Sequence, residues 1–240
     1  MTARPLLIVG AGGFARETIE AVRAVNAAAP RWELLGMLDD DPALHGGSVG
    51  GVRILGRTAD VAGFPDAAVV VCVGNPADYA SRWRIVRRLG LEAERWATIV
   101  HPAAVLPGSA GVGPGSVVLA GAVATAAVSI GAHVAVMPGV VLTHDDLVED
   151  FATLASGVRL GGRVRVEEGA YVGAGALVRE RVAIGRWALV GMGAVVLADV
   201  PPGEVWVGVP ARRLRAGPVP AGGPVEEPPR TPGERAGRAP

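Results

Sequence analysis

Three consecutive residues in the second half of the chain, His144, Asp145 and Asp146, have the side chains that acid–base chemistry requires. A carboxylate next to an imidazole fixes its tautomer and raises its basicity, and a general base needs both. The other histidines lack such neighbours: His133 has no carboxylate in its own repeat, and His101 precedes a proline. We expect those two to be surface or capping residues, and we predict that His144 takes a proton from a nucleophile with Asp145 beside it.

A six-residue repeat from Val100 to Pro201 determines how this histidine is presented. The first position of each unit is Val, Ile or Leu, except at Ala124, and Asp146 is the one charged residue at a fifth position. A period of six fits neither a helix nor an alternating strand, and it is typical of a β-solenoid. First and fifth positions then face the core, whereas the third position, which His144 occupies, faces outward.

Stacking of successive coils predicts a partner for His144. Three units complete one triangular coil, so residues 18 apart lie about 4.8 Å from each other, the usual strand spacing. Gly162 is therefore expected beside His144, with its backbone N–H open to a carbonyl oxygen, as in an oxyanion donor close to a base. The alternative is that Gly161 and Gly162 only turn a corner.

Residues 1–96 have a different pattern, in which strands alternate with helices. We predict strands at 5–9, 32–38 and 67–73 and helices at 14–28 and 77–89, which together indicate a parallel sheet. Ligands of such sheets bind at the carboxyl ends of the strands, where this chain has glycines, paired aspartates and an asparagine.

The glycine-rich turn at 10–15 is typical of phosphate binding at a helix N-terminus. The shortness of the domain favours a nucleotide-sugar pocket over a nicotinamide site, and a tight turn without a ligand is the third interpretation. No cluster has metal-ligand spacing, so we expect no metal.

Composition narrows the class of protein further. Half of the 240 residues are hydrophobic but only 4% are aromatic, which suits a narrow core, and the zero net charge argues against nucleic-acid or anionic-membrane partners. The single Cys72 excludes a disulfide framework, and no signal peptide or membrane helix is evident, so we predict a cytoplasmic protein. We expect an α/β Rossmann-like domain at 1–96, a solenoid at 97–215 and a disordered tail at 216–240.

The repeat resembles that of the left-handed parallel β-helix acyltransferases. The order of the other motifs resembles the bacterial group of sialic-acid O-acetyltransferases and nucleotide-amino-sugar N-acetyltransferases. The motifs that carry this resemblance are Gly10-Ala11-Gly12-Gly13, Leu38-Asp39-Asp40, Val73-Gly74-Asn75, Val100-His101-Pro102, His144-Asp145 and Gly208-Val209-Pro210-Ala211-Arg212.

The resemblance implies a homotrimer that transfers an acetyl group from acetyl-CoA to the amino group of a nucleotide-linked amino sugar. His144 would be the base, Asp145 its modulator and Gly162 the oxyanion donor. Residues implied to contact the coenzyme are Thr153, Gly162, Ala174, Met192, Pro210 and Arg212. Residues implied to contact the sugar nucleotide are Gly12, Gly13, Phe14, Asp39, Asp40 and Asn75. Acetylation of a sugar hydroxyl and a non-enzymatic solenoid scaffold are the alternatives.

Overall fold

The N-terminal part of the protein is a five-stranded sheet flanked by two helices. In this computed structural model, which describes residues 3–217 and 220, the chain runs through β1 (Arg4–Val9), α1 (Gly13–Ala28), β2 (Trp32–Leu38), β3 (Ser48–Val49), β4 (Val52–Gly56), β5 (Ala68–Val71) and α2 (Ser81–Leu89). Short 3₁₀ helices lie at Pro42–Leu44, Thr58–Gly63 and Ala93–Arg95. The strand order is β3-β4-β2-β1-β5, and only β3 is antiparallel to its neighbour.

The predicted elements of this part are present, and β3 and β4 are additional. They form a hairpin at Gly50-Gly51, both with positive φ, and such a two-glycine turn before the alternating residues 52–55 is a hairpin signal. The strand predicted at 67–73 is shorter, and α2 begins at Ser81 rather than at residue 77.

Residues 99–207 form a left-handed parallel β-helix with three sheets, to which Arg212–Ala216 adds an antiparallel strand, so the predicted fold class is confirmed. Sheet I contains Ile99–Val100, Val117–Val118, Ala135–Val136, Thr153–Leu154, Tyr171–Val172, Leu189–Val190, Glu204–Val207 and Arg212–Ala216. Sheet II contains Val123–Ala124, Val141–Leu142, Arg159–Leu160, Leu177–Val178 and Val195–Val196. Sheet III contains Gly111–Val112, Ser129–Ile130, Leu147–Val148, Arg165–Val166 and Ala183–Ile184.

The repeat explains the core of this helix. From Val118 onward the first and fifth positions are buried and, apart from Asp146, form one continuous cluster of Val, Leu, Ile and Ala side chains. Burial of such a column away from water is the main driving force for stacking the coils. The chain crosses from sheet I to II to III in every coil, so residues 18 apart share a corner.

The N-terminal part packs against sheet I. Helix α1 contributes Ala15 and Ile19 to an apolar cluster that also contains Ile99 and Ala135 of sheet I. The predicted tail at 216–240 lies outside the described residues except for 216, 217 and 220, and Ala216 ends the last strand.

Candidate active site

His144 lies at the corner between sheets II and III and is exposed, as its position in the repeat predicts. Its Nδ1 is 2.9 Å from Oδ2 of Asp145, so Nδ1–H donates to the carboxylate and Nε2 carries the free lone pair. Asp145 also accepts from Nε of Arg163 at 3.4 Å. The hydrogen bond from His144, assisted by Arg163, lowers the pKa of Asp145 below its ordinary value and keeps this acceptor ionised.

Gly162 lies directly under the imidazole ring, where stacking by 18 residues places it. A Cβ added at this residue would lie 2.4 Å from Nε2 of His144, so only glycine leaves the ring in this position. Within residues 3–217, no acceptor is hydrogen-bonded to the Gly162 N–H. The corner therefore combines an imidazole with a free Nε2 and a backbone donor next to it, which is the arrangement of a base beside an oxyanion site.

Asp146 faces the core, and its carboxylate connects two coils. Its Oδ2 accepts from the N–H of Thr143 at 2.8 Å and its Oδ1 from the N–H of Val164 at 2.9 Å. Burial raises the pKa of this carboxyl to about 6, although both N–H bonds favour the ionised form. The repeat identified Asp146 as an exception, but not its two backbone partners, because they depend on the local path of the turns.

Most of the proposed coenzyme residues lie at the opposite edge of sheet II. Ala174 and Met192 stack at the corner between sheets I and II, and Met192 is 82% exposed. The segment that contains Pro210 lies against Val195 of sheet II, since Gly208 and Ala211 both hydrogen-bond to the Val195 backbone. Arg212 begins the last strand and is exposed.

Thr153 lies apart from these residues. It is buried on sheet I under helix α2, and its hydroxyl accepts a hydrogen bond from Arg82 at 2.8 Å. The Arg82 guanidinium also donates to the carbonyls of Val73, Phe151 and Ala152, so it joins the end of β5 to the β-helix. Burial lowers the pKa of Arg82 to about 10. Sequence reasoning missed this residue, because nothing in a helix rich in arginine distinguishes the buried one.

The predicted sugar-nucleotide residues meet at the carboxyl ends of β1, β2 and β5. The side chain of Asp39 accepts from the N–H of Ala11 at 2.8 Å and from that of Asp41 at 2.9 Å, which holds the glycine-rich turn against β2. Gly12 and Gly13 are exposed, with open space where a Cβ would lie.

The other predicted sugar-nucleotide residues lie around the same glycine-rich turn. Asp40 is exposed, accepts from the N–H of Thr58 and pairs with Arg88. Exposed Asn75 accepts from the Ala77 N–H, whereas Phe14 is buried beside Gly74.

The expectation of a surface or capping role holds for His101 but is wrong for His133. His101 accepts from the Ala103 N–H, whereas His133 is 5% exposed, stacked on Phe151 and edge-on to Trp96. Burial, and then the charge of Arg82, lower its pKa to about 4. The repeat could not predict this burial, because residues outside the β-helix cover the ring.

Neither a group of metal-ligating side chains nor a helix that could cross a membrane lies in the described part of the chain. Residues 3–217 contain no group of three or more His, Cys, Asp or Glu side chains arranged to hold a metal ion. None of the helices described has the length and apolar character needed to cross a bilayer.

Solved structures that are similar to this chain include bacterial acetyltransferases. Residues 5–89 match the family model of the PglD N-terminal domain. The acetyltransferase domain of PglB from Neisseria gonorrhoeae, solved with acetyl coenzyme A, is 28% identical with a TM-score of 0.76 over 88% of this chain and 100% of that domain. PerB from Caulobacter crescentus, solved with CoA and GDP-perosamine, is 29% identical with a TM-score of 0.76 over 88% of this chain and 97% of that one.

A third solved structure is similar to this chain over almost the same length. WeeI from Acinetobacter baumannii is 26% identical with a TM-score of 0.72 over 87% of this chain and 99% of that one. The search of curated proteins found no match. The domain match, the β-helix and these neighbours agree with the resemblance of the motifs to the hexapeptide-repeat acyltransferases of the bacterial sugar acetyltransferase group.

Proposed function

We propose that this protein transfers an acetyl group from acetyl-CoA to the amino group of a nucleotide-linked amino sugar. The observation that carries the proposal is the position of His144, whose Nδ1 is bonded to Asp145 and whose Nε2 lies over Gly162. Two neighbours support the choice of substrates: PglB was solved with acetyl coenzyme A, and PerB, a GDP-perosamine N-acetyltransferase, with CoA and GDP-perosamine.

In the proposed reaction the amine nitrogen attacks the carbonyl carbon of the thioester. A new C–N bond forms, the C–S bond breaks, and the sulfur leaves with its electron pair. Nε2 of His144 takes the proton that the nitrogen loses and returns it to the departing sulfur. Asp145 holds the ring in the required tautomer and stabilises the imidazolium, while the free N–H of Gly162 donates to the carbonyl oxygen as negative charge develops there.

The coenzyme is proposed to lie along the outer face of sheet II. That face is apolar at Val123, Val141, Leu177 and Val195 and carries one exposed charge, Arg159, and it separates the His144 corner from the corner with Ala174 and Met192. Arg212 and the neighbouring arginines offer charge for the coenzyme phosphates. Thr153 is buried under Arg82 and has no part in this proposal beyond orienting that guanidinium.

The sugar nucleotide is proposed to bind at the start of α1. This helix has no acidic residue in its first turn, and Gly12 and Gly13 leave its N–H groups accessible to phosphate. Asp40 and Asn75 border the same turn.

A second copy of the chain is proposed to complete the site. In each triangular coil the corner with His144 lies opposite sheet I, against which the chain's own N-terminal part packs. We therefore propose that a sugar held by that part reaches the His144 of a neighbouring copy. Exposed Leu177 and Met192 on and beside sheet II offer an apolar surface for such contact. We propose the closed homotrimer implied by the resemblance, working in the cytoplasm.

The test is incubation with acetyl-CoA and a panel of nucleotide-linked sugars, each carrying a free amine or only hydroxyls. We expect a mass increase of one acetyl group on an amino sugar, resistant to mild alkali as an amide is. An alkali-labile product on a sugar without an amine would instead identify a sugar O-acetyltransferase. No transfer to any sugar, with coenzyme A also failing to bind, would favour the scaffold alternative.

A further inference from the structure

The regular backbone bonding between coils changes at the turn that carries His144. In the regular pattern the N–H of each second-position residue donates to the first-position carbonyl of the next coil, as Thr125 does to Leu142 at 3.1 Å and Gly161 to Val178 at 2.9 Å. The N–H of Thr143 instead donates to Oδ2 of Asp146, and the Thr143 hydroxyl donates to the carbonyl of Leu160 at 3.1 Å.

The strand pairing changes at the same place. The pairing of Val141–Leu142 with Arg159–Leu160 has a single residue pair, Val141 with Arg159, whereas the other pairings in sheet II have two. Two side chains therefore replace one backbone hydrogen bond at the corner where the imidazole ring lies over Gly162.

The partners of Asp146 flank both functional residues. Thr143 immediately precedes His144, and Val164, whose N–H donates to Oδ1, follows Gly162 by two residues. The Asp146 side chain is 1% exposed, at a position of the repeat where the other residues are small and nearly always apolar. It therefore occupies the core at the cost of desolvating a carboxylate. The next two coils have Val164 and Val182 at this position and keep the regular bonding.

We propose that Asp146 is a positioning residue, which sets the spacing between the turn of the base and the turn of the oxyanion donor. It acts together with the Thr143 hydroxyl and touches neither substrate. The inference rests on the proposed function, because it assigns a role to the distance between His144 and Gly162. A displacement of 1 Å between reacting groups can lower turnover by about 100-fold, so a carboxylate that fixes this distance has a measurable effect on rate.

The test is Asp146→Val, compared with Ser116→Ala as a matched control. Ser116 is also a buried fifth-position residue that bonds across coils, since its hydroxyl donates to Gly131 and accepts from Val134, but it lies far from His144 in the repeat. Asp146→Val removes a buried charge and leaves the side chain found in the next two coils, so we expect an equal or higher melting temperature. We also expect kcat to fall about 10-fold to 100-fold with little change in either KM.

The control and a second variant separate this role from a purely structural one. Ser116→Ala should lower the melting temperature and leave kcat unchanged at 25 °C. Asp146→Ser, with one acceptor, should keep more turnover than Asp146→Val, and it serves as the test if the valine variant does not fold. A structure of a folded variant should have the Thr143 N–H bonded to Leu160, as in the regular pattern.

Three outcomes are possible once His144→Ala is measured in the same assay. Loss of turnover in both His144→Ala and the Asp146 variants, with KM retained, supports the proposal. Turnover within about twofold of wild type in Asp146→Val, or in Asp146→Ser if the valine variant does not fold, overturns the role of Asp146 alone when His144→Ala is inactive. An active His144→Ala overturns the proposed base, and the positioning role fails with it.

Discussion

Replacing Gly162 with alanine tests the geometry of the proposed base most specifically. A Cβ at this residue would lie 2.4 Å from Nε2, 2.6 Å from Cε1 and 2.9 Å from Cδ2 of the His144 ring, whereas ordinary contact begins at 3.4 Å. The ring must therefore move by about 1 Å. Gly162 is not among the residues with positive φ, so alanine adds no backbone strain there.

The expected effect is on rate rather than stability. A displacement of about 1 Å can cost 100-fold in turnover, or about 2.7 kcal/mol in the barrier. The His144 side chain is 60% exposed and can turn into solvent, so we expect the free energy of unfolding to change by less than about 1 kcal/mol.

Steady-state kinetics with both substrates saturating, together with thermal melts, measure the two effects separately. Gly111→Ala is the matched control, because Gly111 also lies in the β-helix without positive φ and has open space at its Cβ position. Combining Gly162→Ala with His144→Ala should cost no more than His144→Ala alone, since both act through one ring. Turnover within twofold of wild type in Gly162→Ala would refute the reasoning.

Three further predictions concern the contact between the two parts of the chain and the assembly. Arg82→Met removes the donor from three carbonyls and should lower the free energy of unfolding by roughly 2–5 kcal/mol. The control Arg84→Met, on the exposed face of the same helix, should lower it by less than about 1 kcal/mol. Equal melting temperatures of the two variants would contradict this prediction. Burial holds the pKa of His133 at about 4, so the unfolded chain binds more protons between pH 4 and 6.5, and the free energy of unfolding falls as pH falls through that range. His133→Phe should abolish up to about 3 kcal/mol of this pH dependence. The free energy of unfolding from urea titrations at several pH values measures it, and the same pH dependence in the variant as in wild type would contradict the prediction. Sedimentation should detect a trimer whose melting temperature coenzyme A raises, whereas a monomer that binds coenzyme A normally would exclude the shared site.

The repeat predicted the β-helix and the pairing of His144 with Gly162, because both follow from stacking by 18 residues. The inward side chain of Asp146 was also evident from its position. Its bonds to Thr143 and Val164 were not, because they replace the regular backbone bonding, and a periodic pattern predicts only regular bonding.

Burial could not be predicted from the sequence where the N-terminal part covers the β-helix. His133, Phe151 and Trp187 share the fourth position of their units at one corner, and all three contact residues outside the repeat. Large aromatic residues aligned in steps of 18 and 36 are a signal that something covers that corner. The burial of Thr153 follows from the same contact, since Arg82 reaches it from α2.

The measurement that tests the central proposal most directly is single-turnover acetyl transfer by wild type and by His144→Asn. Enzyme in excess over acetyl-CoA, mixed with the amino sugar nucleotide that the panel identifies, reports the chemical step without product release. We predict that His144→Asn forms the N-acetyl product roughly 10²–10⁴-fold more slowly, while its melting temperature and coenzyme affinity stay near those of wild type. Transfer by the variant at the wild-type rate would contradict the assignment of His144 as the base.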